Sequence, residues 1–165
     1  MALTKRLYEG IVASEAQLER SELKSQKLTW KTAEILPPSR SSFHAQALAE
    51  LIATKSESVV NRNRSSYTLS WLQRVKKQTP IVLSSLHVGS TKLLHLPAEM
   101  FVEYQLRAQR LQPDDFVCTA AYGDGGPWYI PVKEEYPNGG YEVSVAFCEP
   151  DVDDVVTEGM KRILG

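Results

Sequence analysis

The chain has 165 residues, of which 42% are hydrophobic and 24% are charged, and its formal net charge is −1. This length and composition predict one globular domain with a sizeable core. No apolar run approaches the roughly 18 residues of a membrane-spanning helix, and we expect no transmembrane segment.

The charge is distributed unevenly along the chain. Residues 1–80 hold 13 Lys and Arg against 7 Asp and Glu, whereas residues 81–165 hold 6 against 13. We therefore expect the two halves to face each other. The alternative is a basic surface for an anionic partner, but no basic cluster is interleaved with the aromatic residues that stack on bases. We expect no nucleic-acid partner.

The first forty residues predict a helix followed by a strand. Apolar residues recur near the helical period over residues 2–25. Residues 27–36 predict a strand because apolar and polar residues alternate, and the change of phase at residues 33–35 suggests a β-bulge. Pro37 and Pro38 end the strand.

Two helices are predicted next. Ser41 or Ser42 is suited to cap the first, which runs to Lys55. The second covers residues 57–77, and its apolar residues share one face: Val60, Tyr67, Trp71 and Val75.

The rest of the chain alternates between strands and helices. The predicted strands cover residues 81–88, 92–96, 116–121 and 141–147, and the predicted helices cover residues 99–111 and 151–164. Residues 122–140 form a loop rich in glycine and proline. This mixture predicts an α/β (mixed α+β) fold, with one mixed β-sheet and helices packed on it.

The two cysteines match no metal-binding motif. Cys118 lies in an apolar strand, which favours a buried and inert thiol. The sequence leaves open whether Cys118 and Cys148 form a disulfide.

Glu99 is a candidate functional carboxylate. Because it follows Pro97, and proline is favoured in the first helical turn, we expect Glu99 within that turn. Free backbone N–H groups there stabilise an ionised carboxylate, which is suited to bind a metal through oxygen. The alternative is an acid that only caps its own helix.

Tyr129 lies in the loop that follows, in the sequence Gly-Pro-Trp-Tyr-Ile-Pro. An aromatic residue in such a loop usually serves packing. Residues 123–126 match no glycine-rich phosphate-binding pattern, and no Lys-Ser/Thr pair follows them.

Four short pieces of sequence, in a fixed order, resemble a known family. They are Leu86-His87-Val88-Gly89, the run from Leu93 through Pro97-Ala98-Glu99, the segment from Tyr129 to Glu134-Glu135-Tyr136, and Gly140-Tyr141-Glu142. Their order and spacing resemble the later part of the catalytic region of neutral/alkaline ceramidases, and more closely bacterial ceramidase-like proteins. The chain differs from the family at Ala98, where the family has glycine, and at residues 123–127.

The resemblance implies a zinc amidase that cleaves the N-acyl bond of a lipid such as ceramide. It assigns Glu99 and Tyr129 as zinc ligands, beside two histidines from an earlier part of the family's chain. We also predict that Asp124, Trp128 and Tyr136 are substrate-binding residues.

The histidines of this chain are candidates to complete the zinc site. His87 and His95 flank a predicted hairpin, and His95 precedes Glu99 by four residues. A lone histidine on a strand is more often structural, and His44 has no candidate ligands near it in sequence. Zinc prefers sulfur and nitrogen ligands, so Glu99 and Tyr129 alone would bind it poorly.

We therefore interpret the chain as one domain, the C-terminal part of a larger ceramidase-like catalytic region, inactive alone. Its expected partners are the N-terminal part of the same protein, a lipid amide and a second copy that contacts the loop over residues 122–136. The alternative is a non-catalytic α/β module that binds a partner protein through this loop.

Overall fold

A computed structural model describes residues 2–18, 28–123 and 126–165. Its helices are α1 (Ala2–Ala16), α2 (Ala45–Ala53), α3 (Val59–Lys76), α4 (Val102–Leu111), α5 (Tyr141–Val145) and α6 (Val152–Leu164). Its strands are β1 (Leu28–Ile35), β2 (Ile81–Val88), β3 (Thr91–Pro97), β4 (Glu99–Met100), β5 (Phe116–Gly123) and β6 (Tyr129–Ile130). A 3₁₀ helix covers Lys133–Asn138.

Four strands form the main sheet in the order β1-β2-β3-β5. The first two pairings are antiparallel, and β3 pairs with β5 in parallel, with α4 between them in the chain. Such a connection is the usual way to join parallel neighbours. Strands β4 and β6 form a separate two-stranded parallel sheet. The prediction of a mixed α/β fold is confirmed.

Helices α4 and α6 cover one face of the main sheet, which we call the inner face. Alternate strand residues enter the core there, because successive side chains of a strand point to opposite faces. Gly159 of α6 lies so close to the sheet that a Cβ would stand 2.6 Å from Leu83. The principal core residues are Ala33, Ile35, Ile81, Leu83, Leu94, Leu96, Tyr104, Ala108, Val156, Met160 and Ile163.

A buried ion pair joins the two covering helices. Arg107 of α4 contacts both carboxylate oxygens of Asp153 and donates a 2.5 Å hydrogen bond to the hydroxyl of Thr157. The Asp153 carboxylate also accepts the backbone N–H of Lys133 at 2.9 Å. Burial alone would raise the pKa of Asp153, but the bonds from Arg107 and Lys133 outweigh burial and hold this pKa below its ordinary value.

Helices α2 and α3 pack on each other. The Ser58 hydroxyl caps α3 by accepting the N–H of Asn61 at 3.1 Å. Of the predicted α3 face, Trp71 is buried in the core, but Val60 and Tyr67 are exposed.

Two predictions about the first half of the chain were wrong. Strand β1 pairs with β2 in an uninterrupted register, so it contains no bulge: Ala33 and Ile35 face the core, and the earlier apolar residues lie on the opposite face. Helix α2 has His44 rather than a serine at its N-cap. Ser41 instead donates its N–H and its hydroxyl to the carboxylate of Glu149.

Two predictions about the second half were also wrong. Residues 141–145 form a helix rather than a strand, because Gly139 and Gly140 turn the chain with positive φ angles and the Ser144 N–H then bonds the Gly140 carbonyl oxygen. Cys118 is only half-buried, because β5 is an edge strand. Both Cys118 and Cys148 are free thiols, and Cys148 is buried.

The predicted N-terminal helix is present but packs on nothing in the described ranges. Helix α1 has no buried residue, and Leu3, Leu7 and Ile11 are all exposed. The C-terminal part of that prediction, residues 19–25, lies outside the described residues. Among the helices that are described, none combines the length and apolar character that crossing a membrane requires.

Candidate functional site

The candidate site lies where two parallel strands end. Strands β3 and β5 run in the same direction, and Pro97 at the end of β3 is paired with Gly123 at the end of β5. In open α/β sheets the crevice beyond the carboxyl ends of the strands is the usual place for a ligand. The segments that follow Pro97 and Gly123 are therefore brought to one edge of the sheet.

Glu99 lies in a strand, which corrects the prediction that it begins a helix. Pro97 still belongs to β3, and Ala98 adopts a left-handed conformation with φ of 61° that redirects the chain. Glu99 then runs along β4, where its N–H donates a 2.7 Å bond to the Trp128 carbonyl oxygen. Helix α4 begins only after Phe101, its N-cap. Glu99 therefore lies outside the first turn of α4.

The pairing of β4 with β6 brings Glu99 beside Tyr129. The register places Glu99 opposite Tyr129 and Met100 opposite Ile130. Paired residues of neighbouring strands direct their side chains to the same face, so the carboxylate and the phenol share one surface. Both side chains are half-buried.

Two phenols interact with the Glu99 carboxylate. Hydrogen bonding to Glu99 raises the pKa of Tyr129 to about 12. The same interaction raises the pKa of the exposed Tyr122. A neutral phenol can donate a hydrogen bond, so Tyr122 and Tyr129 are both suitable partners for the Glu99 carboxylate in the groove that they share.

These residues line a surface groove of about 390 Å³. Ala98, Tyr122 and Trp128, all in its wall, have left-handed backbones with φ of 61°, 61° and 56°. Such conformations cost non-glycine residues of order 1–3 kcal/mol and are concentrated at functional sites. Gly126 permits the close approach of the loop, because a Cβ there would lie 2.6 Å from the backbone of Ala98.

The residues predicted to bind substrate do not all reach this groove. Trp128 lines it and stacks on Phe147 with the ring centroids 5.5 Å apart. Tyr136 lies elsewhere: its hydroxyl donates to the Cys148 carbonyl oxygen at 3.2 Å, and its ring lies under the Arg40 guanidinium. Asp124 lies outside the described residues.

His87 and His95 make their contacts with residues other than Glu99 and Tyr129. His87 faces the core side, where its Nε2 lies 2.9 Å from the carbonyl oxygen of Ile163. His95 is an exposed residue of β3, paired with Ser84 and Ala120 on the neighbouring strands. Neither histidine lines the groove.

A divalent metal fits this donor set only in part. A carboxylate and a phenol are chemically suitable oxygen ligands, and they are neighbours in the groove. In the part of the chain that the structure describes, however, no group of three or more His, Cys, Asp and Glu residues could hold a metal ion. Further ligands would have to come from outside these residues.

Comparison with solved structures relates this fold to ceramidases. The chain is similar to neutral ceramidase from Pseudomonas aeruginosa, with a TM-score of 0.57 and 15% identity over 92% of this chain and 29% of that one. A second match is a structure described as ceramidase complexed with C2, with a TM-score of 0.47 and 19% identity over 52% of this chain and 14% of that chain. This chain thus spans less than a third of either neighbour. No protein-family model and no curated protein matches the sequence.

The likeness to the Pseudomonas enzyme shows a shared fold. At 15% identity it assigns neither an activity nor a ligand to this chain. It agrees with the resemblance inferred from the order of the sequence pieces, which pointed to one part of a ceramidase-like catalytic region. The zinc ligands that this resemblance implies remain a prediction.

Sequence reasoning missed Tyr122 and Gly126 as residues of the groove. The available signal was positional: Tyr122 falls at the end of a predicted strand, immediately before the glycine-rich loop. Recognising it required the parallel pairing of β3 with β5, which brings the ends of both strands to one edge.

Proposed function

We propose that this chain supplies two oxygen ligands, Glu99 and Tyr129, to the zinc centre of a ceramidase-like amidohydrolase that cleaves the N-acyl bond of a lipid such as ceramide. The single observation that carries the proposal is the β4–β6 pairing, which makes Glu99 and Tyr129 direct neighbours. The fold shared with a neutral ceramidase supports it.

In this proposal each residue of the groove has a defined task. Glu99 supplies an anionic oxygen, and Tyr129 supplies a phenol oxygen beside it. Tyr122 lines the same groove as Glu99, and the carboxylate of Glu99 raises its pKa. Trp128 provides an apolar wall for the acyl chain. Zinc, when bound, would act as a Lewis acid on the amide carbonyl and activate water for attack.

The proposal requires a second contributor to the site. Because zinc prefers nitrogen or sulfur ligands, the two oxygens described here form a weak site by themselves. We assign the missing nitrogen ligands to an N-terminal part of the same protein. The chain alone is then expected to bind zinc weakly and to leave the amide intact.

Zinc titration calorimetry with and without added imidazole tests this proposal. Imidazole can replace the missing nitrogen ligands, so it should tighten zinc binding. Glu99→Gln and Tyr129→Phe should each weaken that binding at least about tenfold, the smallest loss typical of perturbed metal sites. Glu103→Gln and Tyr67→Phe are the matched controls, because neither residue lines the groove of Glu99.

Two outcomes would contradict the proposal. Equal zinc affinity in all four variants would place the metal elsewhere. Tight, stoichiometric binding without imidazole would show that this chain completes the site with its own histidines, and the assignment of ligands to another part of the protein would be wrong.

A further inference from the structure

The short sheet formed by β4 and β6 depends on support from the rest of the fold. Each of its strands has two residues. The Glu99 N–H donates to the Trp128 carbonyl oxygen at 2.7 Å, and the Phe101 N–H donates to the Ile130 carbonyl oxygen at 3.4 Å. A pair of strands without other support is marginally stable at best in water. The position of Glu99 beside Tyr129 therefore depends on what fixes the two accepting residues.

The two accepting residues are held in different ways. Ile130 is fully buried in the core, which fixes it directly. Trp128 is half-buried, and its backbone has the left-handed φ of 56°. A residue other than glycine keeps such a conformation only where the surrounding structure imposes it. Contacts of the Trp128 side chain are the candidates for this constraint.

Aromatic rings hold the indole of Trp128 on more than one side. Phe147 stacks on it with the ring centroids 5.5 Å apart and the ring planes 21° apart. Tyr67 of α3 lies tilted against it at 5.9 Å, and Phe43 packs edge-on against Phe147 at 6.0 Å. Aromatic pairs at such distances are stabilised beyond the apolar area that they bury. The indole is thus held by α3 and by the segment between α5 and α6.

Phe147 is the more firmly held of the two rings that contact Trp128. It is 7% exposed, whereas Tyr67 is 55% exposed. The Phe147 carbonyl oxygen accepts the N–H of Arg40 at 3.0 Å, and the adjacent Cys148 forms a β-bridge with Ser39. Phe147 does not line the groove of Glu99. Its ring can therefore orient Trp128 without contacting a ligand in that groove.

From these contacts we propose that Phe147 is a positioning residue of the candidate site. Its ring fixes the indole of Trp128. The Trp128 carbonyl oxygen then holds the Glu99 N–H in the register that places Glu99 opposite Tyr129. The consequence for zinc rests on the proposed function. A ligand pair held in one arrangement binds more tightly than a mobile pair, because it loses less conformational freedom on binding.

Hydrogen exchange followed by NMR tests this positioning without a metal. Phe147→Leu keeps an apolar side chain but removes the stacked ring. The amides of Glu99 and Phe101 should then exchange about tenfold faster, as the loss of a strong aromatic pair predicts. The amides of the central strand β2 are the internal reference. A loss of global stability alone cannot accelerate the two site amides more than the reference amides, whereas a local opening of the β4–β6 pairing does.

Two further variants complete the exchange experiment. Ile163→Val is the matched control in the core, because Ile163 is buried and its carbonyl oxygen lies against His87 rather than against the aromatic rings. It should leave the ratio of site to reference exchange rates unchanged. Tyr67→Leu removes the other ring at an exposed position and should raise this ratio about threefold. This variant decides the test if Phe147→Leu does not fold.

Zinc titration with added imidazole is the second measurement. Phe147→Leu should weaken zinc binding about tenfold, the smallest loss typical of residues that support metal ligands. Ile163→Val should leave the zinc affinity unchanged. If the wild-type protein binds no zinc under these conditions, the proposed function is wrong, but the exchange rates still decide whether Phe147 positions Glu99.

Three results would overturn this inference. One is an unchanged ratio of site to reference exchange rates in the folded Phe147→Leu and Tyr67→Leu variants. Another is an equal rise of that ratio in Ile163→Val, which would reduce the effect to a general loss of stability. The third is an unchanged zinc affinity in Phe147→Leu where the wild type binds zinc, which would show that the two ligands keep their arrangement without the ring.

Discussion

Replacing Arg107 by methionine should destabilise the protein through the carboxylate that it leaves behind. Asp153 is buried, with its side chain 6% exposed, and Arg107 contacts both of its oxygens. Without the guanidinium, Asp153 keeps the N–H of Lys133 and a long 3.4 Å contact with the Thr157 hydroxyl. One buried charge would thus lose its counter-ion.

The expected loss follows from that environment. Breaking a buried ion pair by removing one partner costs about 3–5 kcal/mol. The Arg107 side chain is 23% exposed, so water can partly replace it, and the lower end of this range, about 3 kcal/mol, applies. Methionine retains much of the aliphatic packing, so the loss reports on the charge.

Urea denaturation followed by tryptophan fluorescence measures this loss. Arg110→Met is the control on the same helix, since Arg110 is exposed, and it should change the free energy of unfolding by less than about 0.5 kcal/mol. A loss below about 1 kcal/mol for Arg107→Met, with an unchanged m-value, would refute the argument that this pair is buried and essential.

Two further predictions concern α6. Burial is the main cause that lowers the pKa of His87 in the folded protein. In the unfolded chain a histidine has a pKa of about 6.5, so the unfolded chain binds the proton first as the pH falls. The folded protein therefore loses stability below that pH. Unfolding free energies at pH 7.5 and 5.5 should therefore differ more for wild type than for His87→Gln, and equal differences would contradict the assignment. Gly159→Ala should lower the free energy of unfolding by about 1–3 kcal/mol, because its Cβ would stand 2.6 Å from Leu83 and 2.9 Å from Ile35. An unchanged thermal midpoint would show that the neighbouring core side chains move to make room for the methyl group.

Local patterns in the sequence were sufficient for most of the elements. The β2–β3 hairpin and α6 were predicted close to their observed bounds, because alternation and helical periodicity are properties of neighbouring residues. The same reasoning failed for residues 141–147. The apolar alternation there suits a strand, but the two glycines before it direct the chain into a helical turn that buries Val143.

Glu99 and Tyr129 were selected from the sequence by family resemblance, and local reasoning about Glu99 gave the wrong element. A proline followed by an acid is compatible with a helix start, and nothing local signals that Ala98 adopts a left-handed backbone. The tertiary structure decides that conformation, since the Ala98 carbonyl oxygen accepts the N–H of Tyr122 from the end of β5.

What the sequence determined by itself was most of the elements and the mixed fold class. Only the tertiary structure decided which face is covered, because that depends on where α4 and α6 pack. It also decided that Glu99, Tyr122 and Tyr129 meet in one groove. Their proximity follows from strand pairings between residues distant in sequence, and such pairings are fixed by the packing of the whole chain rather than by any local pattern.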